Sequence, residues 1–362
     1  MATTKLPIKK WILLGMTVGL VVLFLYIYYI VGLGGVVSQF EKINLYYYVA
    51  AFLAELAGIL FYSLTWRSLL ANLSIKIKVR QAFLFVLART FIDSLVPEPT
   101  NITGDLMQAY LASKATGESS GKTTASVIGQ KMLGIAISAG NLVAGLVLLV
   151  LGYYIISERA RALLIFVIVV LALLASALAV LYYVSTKPQA TRRILYGAIR
   201  LICFISRGRW DLAVLQQKAD ELSNAFHEGV RILRANPRAW IKPILLSILS
   251  WAFDITTVFL VFASIGYPVP AYKVLIVYAL TGGLRNMGVS FIGVTEVITS
   301  ALYTLLTIPL AVSLTVTLLT RFITFWFSLL IGYVAFQYVG LKLLLNQNIT
   351  RIEPKAISSN TA

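Results

Sequence analysis

Arg89-Thr90-Phe91-Ile92-Asp93-Ser94-Leu95-Val96-Pro97-Glu98-Pro99-Thr100-Asn101-Ile102-Thr103-Gly104-Asp105 lies between long apolar segments, and so does Thr281-Gly282-Gly283-Leu284-Arg285-Asn286-Met287-Gly288-Val289-Ser290-Phe291-Ile292-Gly293-Val294-Thr295-Glu296. Each puts charges and helix breakers where the surrounding hydropathy demands lipid. A break inside a bilayer frees backbone N–H and C=O groups that hydrocarbon cannot satisfy, so it survives only where protein buries it or a wet cavity bathes it. Charges at that depth are costly and mark function by default. Two such breaks in matching places of two halves point to a transporter binding site.

Composition sets the frame around these stretches. Of 362 residues, 59% are hydrophobic and 12% charged, with a mean hydropathy of +0.86. Those values exclude an ordinary soluble domain. The apolar runs are long and continuous rather than short and alternating, which excludes a transmembrane barrel. The net charge is +17, from 31 Lys and Arg against 14 Asp and Glu. The basic residues cluster between apolar runs, as cytoplasmic loops of a membrane protein do, so no nucleic-acid partner is expected. Cys203 and His227 are the single cysteine and histidine, too few for a thiolate or imidazole metal site. No metal and no cofactor are expected.

A span needs about 20 apolar residues. Candidates are Trp11–Val31, Leu45–Leu70, Thr123–Ile156, Ala162–Val184, Trp240–Ile265 and Pro309–Leu344. Loop charge orients them. Lys5, Lys9 and Lys10, then Lys76, Lys78 and Arg80, then Lys114 and Lys122 belong inside, as do the ten basic residues of 187–238 and the tail residues Lys342, Arg351 and Lys355. Both termini are then cytoplasmic and the chain sits in the cell (plasma) membrane. Arg80 and Lys122 flank the first break on one face, which makes it a re-entrant hairpin entered from inside; the second must open from outside. The expected fold is therefore an all-α, polytopic transmembrane helical bundle. It has six full spans and two re-entrant helical hairpins in an inverted repeat, residues 1–157 against 158–345, with a cytoplasmic tail at 346–362.

Within 187–238, Leu212, Leu215, Ala219, Leu222, Phe226, Val230 and Leu233 recur at helical spacing. The segment is either interfacial or packed on the other loops. Arg67, beside Trp66 near a span end, reads as an interfacial anchor. Gly129, Gly134, Gly140 and Gly145 on one span allow close helix packing. Glu55 and Asp254 lie within spans, where each either pairs with a base to hold the bundle or serves the site.

The candidate substrate-binding residues are Arg89, Asp93, Glu98, Asn101, Thr103, Asp105, Lys131, Arg285, Asn286, Glu296 and Arg321. Pro97 and Pro99 stop one helix, and Asn101, Thr103 and Gly104 start the next with its N–H groups free for an anion. The four bases are candidate partners for that anion, and the acids for the bases or for an amine. No nucleophile–base set, H-E-x-x-H motif or Walker A motif is present, so a catalytic role is not expected.

The break running from Pro97 to Gln108-Ala109-Tyr110-Leu111, the later Ser290-Phe291-Ile292-Gly293-Val294-Thr295-Glu296, and Arg321 within Thr320-Arg321-Phe322-Ile323-Thr324-Phe325 carry a resemblance. From Trp66 to Tyr333 the chain resembles the integral-membrane domain of the lysylphosphatidylglycerol synthase/flippase family. It departs from the family pattern at Gln130-Lys131, where Glu-Arg is common, and at Phe291-Ile292, where a glycine pair is common. The resemblance implies a flippase-like transporter that moves a phospholipid or lipid-linked headgroup through a polar cavity between the hairpins, with membrane lipids as partners. It is a likeness to the transport half of the bacterial fusion proteins, without their soluble aminoacyltransferase domain. Two other readings stay open: an ion-coupled small-solute transporter, and a membrane-embedded enzyme acting on lipid-linked substrates. Homo-oligomerisation is also open.

Overall fold

The computed structural model describes residues 38–95, 102–152, 158–205, 212–286 and 293–352. The expected first span, Trp11–Val31, and the tips of both breaks lie outside them. Every described element is helical. In chain order they are α1 (Leu45–Asn72), α2 (Val79–Leu95), α3 (Ile102–Thr116), α4 (Ser120–Gly152), α5 (Glu158–Thr186), α6 (Pro188–Ile205) and α7 (Leu212–Ala235). A 3-10 turn, Pro237–Trp240, leads into α8 (Ile241–Ser264). Then come α9 (Ala271–Asn286), α10 (Val294–Leu305), α11 (Leu310–Arg321), a π-helical segment (Phe322–Phe327) and α12 (Ser328–Ile352).

Five stretches are long and apolar enough to cross a membrane: Leu45–Asn72, Ser120–Val147, Val167–Thr186, Pro237–Ser264 and Leu310–Leu341. Each overlaps a span expected from hydropathy. Ala271–Gly282 and Val294–Leu305 are apolar but shorter. The described residues on either side of each break form a short helix, α2 and α3 in the first case, α9 and α10 in the second.

The centre of the bundle is the antiparallel pair α1 and α8. Asn44 N donates to Ser264 O at one end, Ser250 Oγ donates to Gly58 O at 2.9 Å in the middle, and Asn72 Nδ2 donates to Ala239 O at the other. Gly58 permits this approach, because a Cβ there would stand 2.5 Å from Asp254 Oδ1. Around this pair two short helices pack on longer ones. The short helix α2 packs on α12, and the short helix α9 packs on α4. Both crossings run over a glycine. A Cβ on Gly145 would meet Ile276 Cγ1 at 2.8 Å and Ile276 N at 3.2 Å; one on Gly332 would meet Leu87 O at 2.7 Å. Of the four glycines expected to serve packing, Gly145 does so tightly and Gly129 lies beside Trp240, whereas a Cβ on Gly134 or Gly140 would meet open space. Gly145→Val and Gly332→Val should each overpack a crossing and cost about 1–3 kcal/mol. Thermal unfolding of the purified chain in detergent reads this, with Gly134→Val unchanged as the control.

Two hydrophobic clusters follow this packing. One gathers α8, α9 and α11 around Phe262, Ile276 and Leu280; the other gathers α1, α2 and α3 around Trp66, Leu69 and Leu70. Trp66 is fully buried and its Nε1 donates to Ser126 Oγ at 2.9 Å. It is a core residue rather than an interfacial belt residue, because α4 passes over it. Arg67 beside it is half-buried, with Nε donating to Ile77 O at 2.9 Å.

The segment after α5 is a helical hairpin of α6 and α7. The stripe of α7 that packs on α4 holds Ala219, Ser223, Phe226 and Leu233, with Gly121 and Gly229 at the contact. Leu222, expected within that stripe, is exposed; the buried line runs through Ser223 because small residues let α7 approach α4. His227, on the flank of the stripe, faces Thr191 Oγ1 at 3.0 Å, and burial holds its imidazole below the usual histidine range.

Candidate functional site

The charged residues of the two short-helix pairs gather into two groups. In the first, Asp105 stands in the first turn of α3 and is ion-paired with two bases on different helices. Arg89 Nη2 of α2 reaches Asp105 Oδ1 at 2.7 Å, and Lys131 Nζ of α4 contacts Asp105 Oδ2. Arg89 Nε donates to Asp93 Oδ2 one turn along α2 at 3.2 Å, while Nη1 donates to Tyr62 OH at 2.8 Å and Gln108 Oε1 at 3.1 Å. Its guanidinium thus spends most of its five donors inside the protein. Gln130 continues the network from Gln108 to the backbone oxygen of Tyr62. Gly104 makes room for it, since a Cβ there would collide with the Asp93 carboxylate. Buried side-chain networks of this kind tie together the elements that contribute to them.

In the second group Glu296 stands in the first turn of α10. Its Oε2 accepts from Gly293 N at 2.6 Å, capping the helix, and its Oε1 accepts from Arg321 Nε of α11 at 2.8 Å. Gly293 has φ +90°, a conformation that favours glycine. Arg321 is the last residue before the π-helical segment. Phe325, four residues on, lies under the guanidinium, 4.7 Å from ring centroid to Cζ. π-helical turns are rare and recur at functional sites.

Arg321 also lines a cavity of about 130 Å³ enclosed by α1, α8, α9, α10, α11 and the π-helical segment. Its wall carries the carboxylates of Glu55 and Asp254 and a stripe of hydroxyls from Thr295, Thr299, Thr317 and Thr324. Tyr278 OH donates to Asp254 Oδ2 at 2.9 Å. The cavity has room for several waters or a small cation. Glu55 and Tyr62 lie seven residues apart on α1, so cavity and first group are separated by about two turns, ~10 Å.

The sequence candidates therefore divide. Arg89, Asp93, Asp105 and Lys131 come together in one group and Glu296 and Arg321 in the other. Thr103 is exposed at the start of α3. Arg285 and Asn286 are the last described residues of α9, and Glu98 and Asn101 lie outside the described residues. Tyr62, Gln108, Gln130, Tyr278 and the threonines were not anticipated. The signal for the threonines was available: Thr317, Thr320 and Thr324 recur every three to four residues around Arg321 in an apolar run, as do Thr295, Thr299 and Tyr303. Among the described residues, no three His, Cys, Asp or Glu side chains gather as a metal-ligand set.

Five membrane-length helices, two interrupted helix pairs and an interior of paired charges define a polytopic helical integral membrane protein. Within that class, the chain belongs to the family described as the lysylphosphatidylglycerol synthase transmembrane region, whose model matches residues 12–332. It is similar to a UPF0104 membrane protein of Methanocaldococcus jannaschii, 24% identical over 326 residues, which covers 88% of this chain and 93% of the relative. A UPF0104 membrane protein of Pyrococcus horikoshii is 24% identical over 330 residues, 90% of this chain and 95% of the relative. One from Methanothermobacter thermautotrophicus is 22% identical over 313 residues, 86% of this chain and 90% of the relative. No solved structure matches the chain.

Proposed function

We propose that the chain is a flippase-like transporter that moves a phospholipid or lipid-linked headgroup across the cell membrane, with both termini cytoplasmic. The observation that carries this reading is the pairing of an acid in the first turn of a short second helix with a base on the next long helix, made twice. Asp105 meets Lys131 26 residues on, and Glu296 meets Arg321 25 residues on. Asp105 and Glu296 are 191 positions apart, Lys131 and Arg321 190, and Gly145 and Gly332 187. The exchange of partners, α2 on α12 and α9 on α4, matches this offset. These regularities support two halves related as an inverted repeat, with the interrupted helices as re-entrant hairpins. In transporters so built, the substrate site lies between the repeats near the bilayer midplane.

The family's description names a lipid, lysylphosphatidylglycerol, which agrees with a lipid substrate. With Arg89 bound to Asp93 and Asp105, and Arg321 to Glu296, the bases face protein partners in this conformation. A headgroup phosphate would be met by these bases only as the carboxylates give way, so the ion pairs serve as latches and the substrate as their competitor. The small cavity excludes a headgroup, so passage requires the hairpins to part.

Reconstituted in liposomes, the protein should move labelled lipids of one class among anionic, aminoacylated and polyprenyl-linked headgroups. Glu296→Gln and Arg321→Gln should slow movement tenfold or more, about 1.4 kcal/mol of coupling. One observation favours a second reading. The cavity's size and its two carboxylates suit a small cation, as an ion-coupled small-solute transporter would need. Folded protein that moves a small solute but none of these lipids would establish that reading instead.

A further inference from the structure

Away from both charged groups, a groove of about 540 Å³ opens where α1 ends and α8 begins. Its volume falls within the range of ligand sites. Arg67, Lys76 and Lys242 line it, together with Asn72, Leu64 and Leu246, and no Asp or Glu does. Among the described residues none of the three bases makes an ion pair. Arg67 is held by its Nε bond to Ile77 O, with its side chain in the groove wall. Lys76 and Lys242 are exposed. Asn72 ties the end of α1 to the turn before α8 through Ala239 O.

The position of the groove decides what fills it. The 28 residues of α1 extend for about 42 Å, well beyond the ~30 Å of hydrocarbon, so its last turns reach the headgroup layer. Beside the groove, α8 exposes Ile241, Ile244, Leu245, Ile248 and Leu249. That spacing makes one lipid-facing stripe running from the groove toward the bilayer interior. A molecule lying there meets three positive charges at its polar end and an aliphatic track below. We propose that this groove binds an anionic phospholipid, its phosphodiester among Arg67, Lys76 and Lys242 and an acyl chain along the exposed stripe of α8. The site is independent of the transport reading, since it lies outside the paired charges and requires no passage.

Native mass spectrometry of the full chain in neutral detergent tests it, with phosphatidylglycerol, phosphatidylcholine and inorganic phosphate as probes. Both lysines are exposed, so Lys76→Gln with Lys242→Gln leaves the core intact. Phosphatidylglycerol should be retained in preference to phosphatidylcholine, and the double variant should weaken it about tenfold while leaving phosphatidylcholine unchanged. Glu296→Gln should retain phosphatidylglycerol as the parent chain does, which separates this groove from the transport site. Three results would each overturn the proposal: no preference for the anionic lipid, full retention by the double variant, or displacement of the lipid by an equal concentration of inorganic phosphate.

Discussion

Glu296→Ala is expected to destabilise the protein by about 3–5 kcal/mol, the cost of leaving one half of a buried ion pair behind. Glu296 is 4% exposed and Arg321 9%, so water cannot replace the lost carboxylate. The side chain also has a second task, since Oε2 accepts from Gly293 N and so satisfies one of the donors that begin α10. Glu296→Gln keeps an acceptor for that cap but offers Arg321 an amide, so its loss should be smaller. Removing both charges should recover much of the stability, because an apolar pair of similar volume replaces a buried ion pair at little cost. The order expected in thermal unfolding in detergent is therefore parent, Glu296→Met with Arg321→Met, Glu296→Gln, and Glu296→Ala lowest. Transport should follow a different order: the double variant, though stable, should be inactive if the pair serves as a latch. A double variant that is both stable and fully active would make the pair purely architectural.

Much of the bundle was legible in the chain because a bilayer imposes length. α1, α4, α5, α8 and the α11–α12 rod each overlap an apolar run of the expected size. The expected breaks at Pro97, Pro99 and the glycines of 282–293 rest on residue types that interrupt helices, and their tips lie outside the described residues. The partners inside the bundle were not legible, because pairing depends on which helices cross. Asp105, Lys131, Glu296 and Arg321 were all singled out, yet which base meets which acid emerged only when α3 packed on α4 and α10 on α11. The local letters around the two acids differ, Gly104-Asp105 against Thr295-Glu296. Trp66 shows the limit from the other side. An aromatic beside an arginine at a span end reads as an interface marker, and only the passage of α4 buries it against Ser126. The threonine-lined cavity went unread because threonine is at home in a membrane helix, its hydroxyl bonding back to the preceding turn, as Thr317 does to Ser313 O and Thr299 to Thr295 O.

The second large effect is expected at Asp105, and it should differ in kind. Asp105 is 6% exposed and is shared by Arg89 and Lys131, so Asp105→Ala removes the common acceptor of two bases at once. A loss of about 3–5 kcal/mol follows from the same reasoning as for Glu296. Rescue is where the two groups part. Adding Lys131→Met to Asp105→Ala neutralises one base, but Arg89 still loses its 2.7 Å contact and retains Asp93, Tyr62 and Gln108. Recovery should therefore be partial, clearly less than in the Glu296 and Arg321 double variant. Adding Arg89→Met instead should recover less still, because it strands Asp93 and the Tyr62 hydroxyl. A double-mutant cycle across Asp105, Lys131 and Arg89, read by thermal unfolding, measures these couplings directly. Full recovery by Lys131→Met alone would mean that Arg89 needs only Asp93, and that the first charged group, like the second, rests on a single ion pair.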